Sequence, residues 1–214
     1  MGCWGITAFE SDEGLDAVEF IRRSLPKDGK LKLETLLEAL KQDSWNAPPE
    51  VETAGSHTSV MALAELMLKF VDRDIKSLDY DGEWGKEDHR FDSITSFTAH
   101  RETVQWIRNY IFDTLRNVKK HARFQAENGE KWGGWFEEKN WIGWQEHMAK
   151  LVSRLDTLLE SSEAEIELIP LQGPEYQEME DSKEAKHPLQ NQLGLSGIIG
   201  DVDGRKSGER YGFK

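Results

Sequence analysis

The sequence predicts an all-α fold: an irregular bundle of five or six helices, with a buried N-terminal anchor and an acidic, poorly structured C-terminal tail. Three observations carry this reading. Apolar residues recur at three- and four-residue spacing in one segment after another. One of those segments, residues 58–73, is apolar around most of its circumference, which places it at the centre of a bundle. Past Ser162 the composition turns acidic and bulky apolar groups thin out. The expected boundaries are a helical domain over 1–162 and a tail over 163–214, acidic and then Gly-rich.

The first helix is expected over 12–25. Leu15, Val18, Phe20 and Ile21 share a face, Asp12 can cap the first turn, and Pro26 closes the helix. Lys27-Asp28-Gly29 is a turn. Leu31, Leu33, Leu36, Leu37 and Leu40 then recur at helical spacing to about residue 42. Trp45-Asn46-Ala47-Pro48-Pro49 ends that helix, since paired prolines cannot continue one. The central helix follows over 58–73, with Val60, Met61, Leu63, Leu66, Met67, Leu68 and Phe70. Residues 74–93 are polar and irregular, with Gly82 and Gly85 around Trp84, and a helix start is expected near Asp92. Thr98 is placed to cap a long helix over about 99–122, striped by Val104, Ile107, Ile111, Leu115 and Val118. Its basic end (Arg116, Lys119, Lys120, His121, Arg123) complements the helix dipole. A last helix is expected over 141–161, with Trp144, Met148, Leu151, Leu155, Leu158 and Leu159 facing inward. Ile166, Leu168 and Ile169 alternate with acids, the pattern of a short edge strand before Pro170.

The N-terminus, MGCWGITAFESD, is the stretch around which the rest is expected to be organised. Gly2 and Gly5 flank Trp4, and Phe9 and Asp12 follow. Glycine lets the backbone turn sharply, so Trp4 is expected to be driven into the core as an anchor. The pattern Met1-Gly2-x-Trp4-Gly5-x-x-x-Phe9-x-x-Asp12 resembles the opening of a bacterial family classed as a domain of unknown function. Ala62-Leu63-Ala64-Glu65 resembles that family's alanine-rich helix with a glutamate, and Trp144 to Leu159 its Trp-led, leucine-rich terminal helix. The resemblance covers residues 1–162. Ile6-Thr7-Ala8 departs from the Gly/Pro-containing segment of the family, and the chain continues past the usual end. The resemblance implies a helical fold and no established activity.

Net charge is −13 with 31% charged residues. That balance argues against nucleic acid and steers basic partners toward the surface. A single cysteine, Cys3, offers no disulfide framework and fits a reducing compartment. No apolar run has membrane-spanning length and no signal-peptide pattern opens the chain, so the expected location is the cytoplasm. Ile6 stands where a myristoylation pattern requires Ser or Thr.

No catalytic, cofactor or metal motif is recognised. The histidines form no His-Glu-x-x-His pair, and there is no phosphate-binding glycine loop or Gly-x-Ser-x-Gly. Asp79-Tyr80-Asp81-Gly82 and Asp201-Val202-Asp203-Gly204 lack the sixth-place glycine and twelfth-place glutamate of a calcium loop. His89, Asp92 and His100 are the trio that a metal-dependent hydrolase would draw on. Four of the eight tryptophans lie between Trp132 and Trp144. Trp132 and Trp135 sit beside glycines, with Glu137 and Glu138 next to them; this group is the candidate partner-binding site, with an internal aromatic cluster as the alternative for the two tryptophans. The favoured function is a non-enzymatic protein-binding module, of the kind that inhibits a basic toxin as an immunity protein does. A small metal-dependent hydrolase and a structural or assembly protein are the alternatives. Oligomeric state is open.

Overall fold

The structure, a computed structural model, describes residues 2–53, 57–78, 90–132 and 137–169. Its architecture is set by the helix α3 (Thr58–Val71), in which every residue except Lys69 and Val71 is buried. The near-continuous apolar run Val60–Leu68 leaves no solvated stripe, so neighbours must cover all sides. α1 (Asp12–Arg23) packs along it, burying Ala17, Val18 and Ile21. α1 starts where Ser11 Oγ accepts the Gly14 N–H at 3.1 Å and stops before Pro26. α2 (Leu33–Gln42) buries Leu33, Leu36, Leu37 and Leu40. α4 (Arg101–Glu127) and α5 (Trp141–Leu158) form an extensively packed pair. Arg108 bridges them, its Nε and Nη2 donating to the two oxygens of Asp156 at 2.7 and 3.1 Å. Arg154 on α5 makes a similar fork with Asp72 at the end of α3.

The molecule is predominantly helical, with five α-helices among the described residues, but it is not all-α. A three-stranded mixed sheet runs in the order β1 (Lys30–Lys32), β2 (Ser96–His100), β3 (Glu165–Ile169). β1 pairs with β2 in parallel, Leu31 opposite Phe97; the crossover between them passes through α2 and α3. β2 pairs with β3 antiparallel, with a register shift between Phe97 and Thr98. Three expectations are corrected by this sheet. Leu31 belongs to β1 and not to the helix that follows. Thr98 lies inside β2, so α4 begins at Arg101 and runs on to Glu127. The helix expected near Asp92 is a single 3-10 turn, Phe91–Ser93. The physical reason is alternation at period two. Phe97 and Ala99 are buried while Ser96, Thr98 and His100 are not, and Phe97 packs edge-on against Phe70 of α3 at 5.2 Å. β3 matches the alternation at Ile166 and Leu168 and lies at the sheet edge, as its sequence predicts.

The turn before β1 depends on Gly29, at φ +69°, where a Cβ would come 2.5 Å from the Ser93 carbonyl oxygen. Its own carbonyl accepts the N–H groups of Thr95 and Ser96, which registers β1 against β2. Residues 173–214, the Trp84 echo, His89, His187, Trp135 and both Asp-x-Asp-Gly segments lie outside the described residues.

Candidate protein-binding site

The N-terminal segment folds back as a hydrogen-bonded knot. Cys3 and Ser11 form an antiparallel bridge, Trp4 N–H donates to the Glu10 carbonyl at 3.0 Å, and Asp12 N–H donates to the Gly2 carbonyl at 3.0 Å. Asp12 also takes the Gly2 N–H on Oδ2 at 2.6 Å. Inside the loop, Glu10 Oε2 accepts the N–H groups of Ile6 and Thr7 and the Thr7 hydroxyl. These donors, the Thr7 amide first and the Ile6 amide next, hold the Glu10 carboxyl below the usual range. A Cβ at Gly5 would fall on the Glu10 carboxyl group, 2.1 Å from its carbon, so a side chain there would push that carboxylate off its amides. Phe9 packs against the core with the Lys69 ammonium 5.4 Å from its ring centroid.

The knot is fastened to the rest of the molecule by Glu65, a carboxylate on α3 that is only 6% exposed. Both its oxygens accept the buried Ala8 N–H, at 2.9 and 3.1 Å. Its Oε1 also accepts from His147 Nε2 of α5 at 2.6 Å. One side chain therefore joins three segments, and it gives the buried Ala8 N–H its acceptor. Glu65 stands out in the sequence only as the one charged residue between Thr58 and Leu68. His147 had no such signal and reads as one of several scattered histidines.

Trp4 does not enter the core. Its side chain is 52% exposed, and its contribution to the knot is its backbone N–H. The expectation of a buried indole anchor is overturned for a simple reason. Flanking glycines permit a tight turn but do not choose which way the side chain points. Glu10, Asp12 and Glu65 supply the fastening instead.

The knot abuts the start of α5, where Ile6 approaches so closely that a Cβ at Gly143 would sit 3.3 Å from Ile6 Cγ2. Trp4 stands two residues before Ile6, and Ile142, 62% exposed, is next to Gly143. An aromatic cluster forms at the start of α5. Trp132 and Trp141, both half-buried, meet edge to face at 5.3 Å, and Trp141 stacks on the buried Trp144 at 5.8 Å. Glu137 and Glu138 are exposed at the same α5 start, with Lys139 paired to Glu137. The Cys3 thiol is pushed up by burial, and the nearby carboxylates of Glu10, Glu13 and Glu137 add to that shift. It is therefore kept protonated, the opposite of an activated nucleophile.

The sequence-derived candidates thus divide. Gly2, Gly5, Phe9 and Asp12 belong to the knot, Glu137 lies near its Cys3, and Trp132 packs on Trp141 at the start of α5, just after Glu138. Ile142 and Trp141 were not singled out from sequence as site residues, because a Trp-Ile pair at a helix start reads as ordinary core. Of the hydrolase trio, His100 lies by Glu34 on α2, 3.6 Å away, and Asp92 is in the 3-10 turn. Among the described residues no group of three or more His, Cys, Asp or Glu side chains converges in a way that could hold a metal ion. No described helix is long and apolar enough to cross a membrane. No protein-family model, curated protein or solved structure matches this chain.

Proposed function

We propose that this chain is a non-enzymatic protein-binding module that receives a basic protein partner on its aromatic end, acting as an inhibitor of the immunity type. The observations that carry the proposal are the exposure of Trp4, on a loop fastened by Glu10 and Glu65, and of Ile142, next in sequence to Trp141 of the Trp132–Trp141 pair. Large apolar groups held in water on a rigid support are the usual composition of a binding hot spot. The acids Glu13, Glu137 and Glu138 beside them, within a chain of net charge −13, favour a cationic partner. The Met1-to-Asp12 pattern that resembles the opening of a bacterial family of unknown function falls on the residues of the knot. In this reading the pattern is a structural support for the face.

Affinity capture from a host lysate, at low and at high salt, tests the reading. The expected result is a basic protein retained at low salt, released at high salt, and lost with the double variant Trp4→Ala/Ile142→Ala. Retention of the same partner by that variant would remove the aromatic end from the account.

A further inference from the structure

The loop after α2 displays an aromatic residue that the site above does not use. Trp45 is 81% exposed, the most open of the large apolar residues described. Its backbone is fixed. Asp43 Oδ1 accepts the N–H of Trp45 at 3.0 Å, the N–H of Asn46 at 2.8 Å and the Asn46 side-chain amide at 2.9 Å. The Asp43 carbonyl accepts the Ala47 N–H at 3.1 Å. The far side of the loop is tied to α4. The Tyr110 hydroxyl donates to the Pro49 carbonyl at 2.8 Å, and the Asn117 side-chain amide donates to the Val51 carbonyl at 2.9 Å. Pro48 and Pro49 stiffen the stretch between. An indole is thus held out in water on a loop with both ends secured, so little further ordering is needed when something stacks on it.

We infer that Trp45 is a receptor for a cationic side chain, an arginine or lysine of a basic polypeptide, which lies on the indole face. The loop's own charge favours that occupant. Residues 43–53 carry Asp43, Glu50 and Glu52 and no lysine or arginine. Tryptophan offers the strongest cation–π face of the aromatic side chains. The Asp43 carboxylate, which accepts the Trp45 backbone N–H, is held below its usual range by the Asn46 and Trp45 amides. Lys41, the nearest preceding cation, is already engaged. It pairs with Glu38 at 2.9 Å and lies 4.8 Å from the Trp106 ring centroid. The inference rests on reading the chain as a binder of basic protein, but it invokes a different residue, so the two can fail separately.

Calorimetric titration of the full chain with a nona-arginine peptide at low salt tests it. The proteins compared are the wild type, Trp45→Ala, Trp45→Phe and Trp4→Ala/Ile142→Ala. Trp45 is exposed, so its variants keep the fold, which circular dichroism verifies. The expected result is an affinity loss of about 3- to 30-fold for Trp45→Ala, with partial retention in Trp45→Phe. A loss smaller than about threefold, or the absence of any binding by the wild type, would overturn the assignment. If Trp45→Ala is unchanged while Trp4→Ala/Ile142→Ala is weakened, Trp45 is dismissed and the aromatic end stands. Should lysate capture fail while Trp45→Ala still loses peptide affinity, the partner reading falls and the cation receptor survives.

Discussion

Replacing Glu65 perturbs the fold where it is most exposed to a single change. The carboxylate accepts Ala8 N–H and His147 Nε2 inside a junction of three segments. In Glu65→Leu the fully buried Ala8 amide loses its acceptor, at a cost of about 1–3 kcal/mol. His147 also loses its partner, so the total is expected to reach about 3–5 kcal/mol, the range for breaking a buried pair from one side. Glu65→Gln should cost less, about 1–2 kcal/mol, because its carbonyl can still accept from Ala8 while its amide faces His147. The double variant Glu65→Leu/His147→Leu should be less destabilised than Glu65→Leu alone, since it removes both polar partners and leaves only the Ala8 amide unsatisfied. Urea denaturation followed by tryptophan fluorescence gives the stabilities, and amide hydrogen exchange at Ala8 gives the local readout. A Glu65→Leu cost below about 1 kcal/mol, with Ala8 still protected, would refute the claim that this carboxylate fastens the knot.

Three further predictions follow from individual contacts. Gly14→Ala should destabilise by about 2–3 kcal/mol in thermal melts, because its Cβ would fall 1.8 Å from the Ala8 carbonyl oxygen, a backbone atom that cannot step aside. Thr114→Val should stabilise by about 1 kcal/mol, since Thr114 is 2% exposed and its hydroxyl has no hydrogen-bond partner among the described residues. His57 is expected to impose a pH dependence. Burial pushes its pKa below the ordinary 6.5, so the folded protein binds this proton less readily than the unfolded chain. Its stability contribution is therefore complete above pH 6.5 and is lost as pH falls from there through the folded pKa. Denaturation of a His57→Phe variant from pH 8 to pH 5 should show a shallower decline than the wild type; identical slopes would contradict the assignment.

Much of the helical frame was legible in sequence because it rests on local periodicity. The run from Val60 to Phe70 has no polar stripe wide enough for a surface helix, so its central place followed directly. β3 was legible too, since Ile166 and Leu168 alternate with acids. β2 was not. With only Phe97 and Ala99 buried, its alternation is too short to outweigh a threonine standing three residues before a long helical stripe. Its partners lie more than sixty residues away in either direction, where no local pattern reports them. The same limit hid His147, whose hydrogen-bond partner is 82 residues distant. Trp4 illustrates a different limit. The glycines around it signalled the turn correctly, but the direction of its indole was settled by Glu10 and Glu65, which claim the interior side of the loop for backbone amides. The cluster of Trp132, Glu137 and Glu138 was visible as a composition, while the approach of Ile6 to Gly143 of α5 was not.

The most direct measurement is to titrate ¹⁵N-labelled protein with the basic partner captured from host lysate and follow the assigned tryptophan indole N–H resonances. If the aromatic end receives that partner, the Trp4 and Trp141 signals shift on binding, and the shifts fade as salt is raised. A partner that binds while Trp4 and Trp141 stay in place would contradict the account.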